Sequence, residues 1–160
     1  MAQAPRPSAK DTGFLQEVAQ EDRSELDLAK LALQKSSDPQ VRSYAQSILA
    51  NDPQVERDAQ KLAPSTTQAT TSQSSAEYQK LAKLSSREFD QEYMRYEAAR
   101  QEQDLRSLVN EIDTTDDANL LDFGIKAEVP TQQAEQQAEQ LASRLGGSMS
   151  VKNAPPRRHS

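Results

Sequence analysis

Four stretches of this chain place apolar residues at alternating spacings of three and four, and in three of them the stripe runs through polar side chains at mid-height. That spacing is the period of an amphipathic helix and excludes a strand reading for the same residues. Residues 85–112 show it most plainly, with Met94, Glu97, Gln101, Leu105 and Leu108 on one face. Two of those five positions are polar. A stripe broken in this way fits a bundle with an interior polar site, and it equally fits a loosely specified helix. Ser85, three residues before Glu88, predicts a capping box at the start of this helix.

The first long helix is expected from Asp11 or Thr12 to about Lys35. Its stripe is Phe14, Val18, Glu21, Glu25, Leu28 and Ala32, widened by Leu15, Leu26 and Leu33. The break Ser36-Ser37-Asp38 is short, and Pro39 suits a first helical turn, so the second helix should return antiparallel beside the first. Its stripe is Val41, Tyr44 or Ala45, Ile48, Asp52, Val55, Ala59 and Leu62.

Pro53 supplies no N–H to the Leu49 carbonyl and disfavours helical geometry at Asp52. A kink is expected there, or a restart capped by Asn51 or Asp52. The near-repeat of D-P-Q-V-R-S-Y-A-Q at 38–46 as D-P-Q-V-E-R-D-A-Q at 52–60 supports the restart. Residues 64–75 are a polar Ser/Thr/Gln linker, and Ser74 with Glu77 predicts a capping box for a short helix near 75–84. A last long helix is expected over about 116–145, interrupted near Pro130, with Gly146-Gly147 closing it.

A connection of roughly 20 residues between the second and third long helices could run the full length of a 25-residue helix, about 37 Å. The reading is therefore all-α: a ferritin-like four-helix bundle over 11–146 with one long crossover. A flexible arm at 1–10 and a disordered basic tail at 147–160 flank it. Net charge −6 argues against a nucleic-acid-binding face. No run approaches the roughly 20 apolar residues of a membrane span. Without cysteine, disulfides and thiol chemistry are excluded. The start M-A-Q-A-P-R-P-S-A-K has no apolar signal core. It fits an exported protein whose signal has been replaced by Met, or a cytoplasmic one.

The stretches E-L-D-L-A-K-L-A-L-Q-K-S-S-D-P-Q-V-R-S-Y-A-Q at 25–46, F-D-Q-E-Y-M at 89–94 and V-P-T-Q at 129–132 carry a family resemblance. Over about 11–145 the chain resembles the ferritin-like domain of unknown function of exported bacterial proteins, often labelled as outer membrane proteins. The resemblance implies a four-helix bundle, a cleavable export signal and a periplasmic or secreted location. It also implies three histidines, at positions that hold Asp52, Gln101 and Glu135 here. The chain's one histidine is His159, so it reads as a divergent member.

Two functional readings stand side by side. One is a non-catalytic exported helical module with an interaction or stress role and without a cofactor, acting through its surfaces, with a protein partner as one option. The other is a carboxylate-only divalent metal binder (Mn, Fe or Mg), with Glu25, Asp52, Gln101 and Glu135 converging from four helices and Glu21, Glu97 and Glu128 nearby. No Glu-x-x-His is present for a di-iron centre, and oxygen ligands alone suit harder ions. In the competing account Asp52 caps a helix restart, Gln101 bonds across the core, and the glutamates reach water. Tyr93 and Tyr96 are expected as core residues, and Asp90 as a structural contact. Without a Cys or an internal His, no nucleophile has its usual base, and no enzyme activity is expected.

Overall fold

The computed structural model describes residues 8–63 and 75–146. Five helices account for nearly all of them, and there is no strand among the described residues: α1 (Ala9–Lys35), α2 (Pro39–Leu62), α3 (Ala76–Ala82), α4 (Ser86–Thr114) and α5 (Ala118–Leu145). The expected arm before Ser8, the linker over 64–74 and the tail from Gly147, with His159, lie outside the described residues.

Helix ends follow side-chain caps. α1 begins earlier than its stripe suggested, because the Ser8 hydroxyl accepts from the Asp11 N–H at 3.1 Å. Asp38 caps α2 by accepting from the N–H groups of Gln40 and Val41, and Asp117 caps α5 in the same way. The two expected capping boxes differ from what is found. α3 is capped by Ser75, which accepts from the Tyr78 N–H. Ser85 holds the N-cap position of α4 but makes no side-chain cap hydrogen bond, so that helix start rests on its backbone and its packing.

The larger correction concerns Pro53. α2 runs unbroken through it, and α5 runs unbroken through Pro130. A proline inside a helix costs about 3 kcal/mol. In α2 this is offset by Val55, Ala59 and Leu62, which continue the buried face into the lower core. Asp52 therefore caps nothing; it is a mid-helix residue.

The four long helices pack as α1 on α2, α4 on α5, α2 on α5 and α1 on α4. Contacts at the two ends fix their directions. At one end Arg144 of α5 pairs with Asp38 at 2.8 Å, Lys35 donates to the Leu84 carbonyl at 2.9 Å, and Gln91 donates to the Leu145 carbonyl. At the other, Lys10 meets Glu111 at 3.4 Å and the Thr115 hydroxyl donates to Asp11. Every neighbouring pair is thus antiparallel. α2 and α4 sit on a diagonal and point the same way, so the end of α2 and the start of α4 lie at opposite ends of the bundle.

The apolar interior is divided. An upper core gathers Leu28, Ala32, Val41, Tyr44, Ile48, Leu81, Phe89, Tyr93, Met94 and Leu141. A lower core gathers Phe14, Leu15, Ala59, Leu108, Leu120 and Phe123. Full burial of each large side chain contributes about 1.5–3 kcal/mol, so both halves hold the bundle shut. Asp90 is buried near the start of α4, where burial raises its carboxyl and the neighbouring Ser36 of the α1–α2 link opposes that rise.

Candidate functional site

Between the two cores, at the height where the stripes turn polar, lies a layer of acids from three helices. α1 supplies Glu21, Asp22 and Glu25, α2 supplies Asp52 and Glu56, and α4 supplies Glu97 and Asp104. Glu25 and Glu97 form its centre. Glu25 is 2% exposed and Glu97 fully buried, and the two carboxyl groups interact with each other. The Tyr44 hydroxyl donates to Glu97 Oε1 at 3.4 Å and receives the Gln101 amide at 3.3 Å. The Tyr44 ring stands edge-on to Tyr93, which stacks on Phe89 with ring centres 5.4 Å apart. These rings wall the acids off from above. Tyr93 is fully buried and Tyr96 only partly so.

Among the described residues, two arginines pair with acids of the layer. Arg100 of α4 bonds Glu21 at 2.7 Å and lies 3.6 Å from Asp104, and Arg23 lies 3.8 Å from Glu56. The inner oxygens Glu25 Oε2, Glu97 Oε2 and Asp22 Oδ2 are buried without a hydrogen-bond donor from the protein.

Burial and mutual repulsion disfavour ionisation. Burial pushes Glu25 well above the carboxylate range, reinforced by Glu97. Burial, then Asp52 and Glu25, does the same to Asp22. Asp52 is raised to about 8 by burial and by Glu25, and Glu21 to about 8 by burial and Asp104, against the pull of Arg100. Glu97 reaches about 7 and Asp104 about 6, both chiefly through burial.

Below this layer lies a partly open cavity of about 160 Å³, with the exposed Glu17, Asn51 and Gln133 at its rim. Asp22, Glu25, Asp52, Gln101 and Asp104 line its acidic side. Val18, Val55, Leu108 and Phe123 line its apolar side, and α5 adds Ala127, Thr131, Gln133 and Gln137. A second cavity of about 520 Å³ lies between α2 and α5. It shares Asn51, Val55, Phe123, Ala127 and Pro130 with the first.

Of the four residues the sequence singled out, the structure brings Glu25, Asp52 and Gln101 to one cavity wall. Glu135 is not among them. Its interacting neighbours are Glu139 and Glu102, because the inward face of α5 is set by Ala134, Ala138 and Leu141, and Glu135 turns one position past it. Glu128 also stays off the cavity wall. Glu21 and Glu97 do join the layer. The sequence reading misses Asp22, Arg100 and Asp104, although each lies three residues from Glu25, Glu97 or Gln101. Among the described residues, no group of three or more His, Cys, Asp or Glu side chains is placed to hold a metal ion. No described helix is long and apolar enough to cross a membrane.

No curated protein and no solved structure matches the chain. One family model does, over residues 1–141, and its description is that of a domain of unknown function. Since the match takes in all but the last few residues of the bundle, the protein belongs to the DUF4142 family.

Proposed function

We propose that this protein is a non-catalytic, ferritin-like binding module whose interior acid layer takes up a cation. The ferritin-like assignment is supported by the antiparallel neighbours α1–α2 and α4–α5 and by the end of α2 and the start of α4 lying at opposite ends of the bundle. Export to the periplasm belongs to the same reading and rests on the family resemblance. A binding role is preferred over an enzymatic one because the buried groups are carboxyls and phenols with no histidine or thiol among them.

The observation that carries the cation reading is Glu25, buried against Glu97 and facing the cavity with an oxygen that meets no donor. A carboxyl layer held this way stays neutral by keeping its protons, and a bound cation could replace them. A divalent metal is the second reading: the donor-free oxygens of Glu25 and Asp22 favour it, and the absence of three acids around one metal position among the described residues weighs against it. Unfolding of the full-length protein at pH 7.5, followed with and without Mn²⁺, Mg²⁺, Ca²⁺, Fe²⁺ and ammonium-type cations, tests the proposal. A site filled at a hundredfold excess over Kd adds about 2.7 kcal/mol. If none of these ions stabilises the protein, the layer binds no cation.

A further inference from the structure

The cavity beneath the acids is shaped for more than a point charge. Its volume of about 160 Å³ is several times the roughly 30 Å³ that one water takes up in the liquid. One side carries Asp22, Glu25 and Asp52; the other carries Val18, Val55, Leu108 and Phe123. A bare ion has no use for that apolar wall, whereas a hydrocarbon chain does. A way in is also present, since the cavity is partly open and the cleft between α2 and α5 shares five lining residues with it, the exposed Asn51 and Pro130 among them.

From this geometry we infer that the cation is a short aliphatic amine, admitted between α2 and α5, with its ammonium against Asp22, Glu25 and Asp52 and its chain along Val55, Leu108 and Phe123. The inference rests on the cation reading above and names its chemical class. An ammonium offers N–H donors, the complement that Glu25 Oε2 and Asp22 Oδ2 lack. It also suits acids that do not gather around one metal position.

The groups facing the ammonium decide how binding depends on pH. On the cavity wall they are Glu17, Glu21, Asp22 and Glu25 from α1, Asp52 from α2 and Asp104 from α4, with Glu56, Glu97 and the cation Arg100 beside them; α5 offers the neutral Gln133 and Gln137. Protonated acids must ionise to receive the amine, so binding releases protons and tightens as pH rises from 6 to 8.

Titration calorimetry of the full-length protein with n-pentylammonium, n-butylammonium, methylammonium and Mn²⁺, run at pH 7.5 in buffers of different ionisation enthalpy, tests this. The expected result is saturable binding of the longer amines, at least about tenfold weaker for methylammonium, which lacks the buried methylenes. Proton release should accompany it. Glu25→Gln and Asp52→Asn should each weaken amine binding by about tenfold or more, with circular dichroism confirming that both variants stay helical. Ala127→Phe, which narrows the cleft at a residue common to both cavities, should slow or abolish uptake. Binding of Mn²⁺ without binding of amines overturns this inference and leaves the cation reading standing. Binding of neither overturns both. Amine binding that Glu25→Gln and Asp52→Asn leave unchanged places the amine elsewhere and overturns the cavity assignment.

Discussion

Replacing Glu97 by glutamine puts the buried acid layer to a direct thermodynamic test. Burial raises the Glu97 carboxyl from 4.5 to about 7, with Asp52 and Asp104 adding to it and the contacts to Glu25 and Tyr44 opposing it. The native state therefore holds this proton over a range in which the unfolded chain has released it. The associated stability is fully present below about pH 4.5 and is lost as pH rises through 7. A rise of about 2.5 in pKa, at about 1.36 kcal/mol for each unit, corresponds to about 3 kcal/mol. The glutamine amide of Glu97→Gln cannot ionise, its carbonyl can still accept from Tyr44, and its N–H groups can donate to Glu25. Between pH 5 and pH 8.5 the wild type should lose about 2–3 kcal/mol more than the variant. Urea unfolding at both pH values, followed by circular dichroism, reads this as a change in midpoint at constant m-value. Midpoints that move in parallel for the two proteins would show that the acids reach water and that no buried layer exists.

Further outcomes follow from the same structure. Gly124→Ala should cost about 1–3 kcal/mol, since its new Cβ would come within 2.7 Å of Ile112 Cγ1; Gly13→Ala, with open space around it in α1, should instead stabilise by about 0.5–1 kcal/mol, and thermal melts of both decide. Asp38→Ala should cost about 1 kcal/mol through the lost α2 cap, whereas Ser85→Ala should cost only a few tenths because that hydroxyl caps nothing. The Asp38 carboxyl is held low by Arg144 first and by the cap N–H groups, so the gap between wild type and Asp38→Ala should close as pH falls below about 4. Glu135→Gln, off the cavity wall, should leave the pH–stability curve of the wild type nearly unchanged; a flattening as large as that of Glu97→Gln would place Glu135 in the layer after all.

The sequence by itself determined the helices and their inward faces, because each stripe repeats at the helical period and Ser36-Ser37-Asp38 is too short for anything but an antiparallel return. It also showed that Glu25, Glu97, Asp52 and Gln101 interrupt those stripes. Tertiary packing decided what the interruptions become. Locally, Asp52-Pro53 reads as a helix start, and only the burial of Ala59 and Ala63 in the lower core carries α2 through the proline and turns Asp52 inward. Spacing along one helix could not rank Asp22 and Asp104 above Glu135 either. Which acid meets which depends on the rotation of each helix against its neighbours. Close packing of the two cores sets that rotation, with the α4–α5 approach at Gly124 and Ile112 and the Phe89–Tyr93 stack among its contacts. The cavity belongs wholly to that level: it is the space left between two apolar cores whose helices are held at fixed separation above and below a layer of carboxyls.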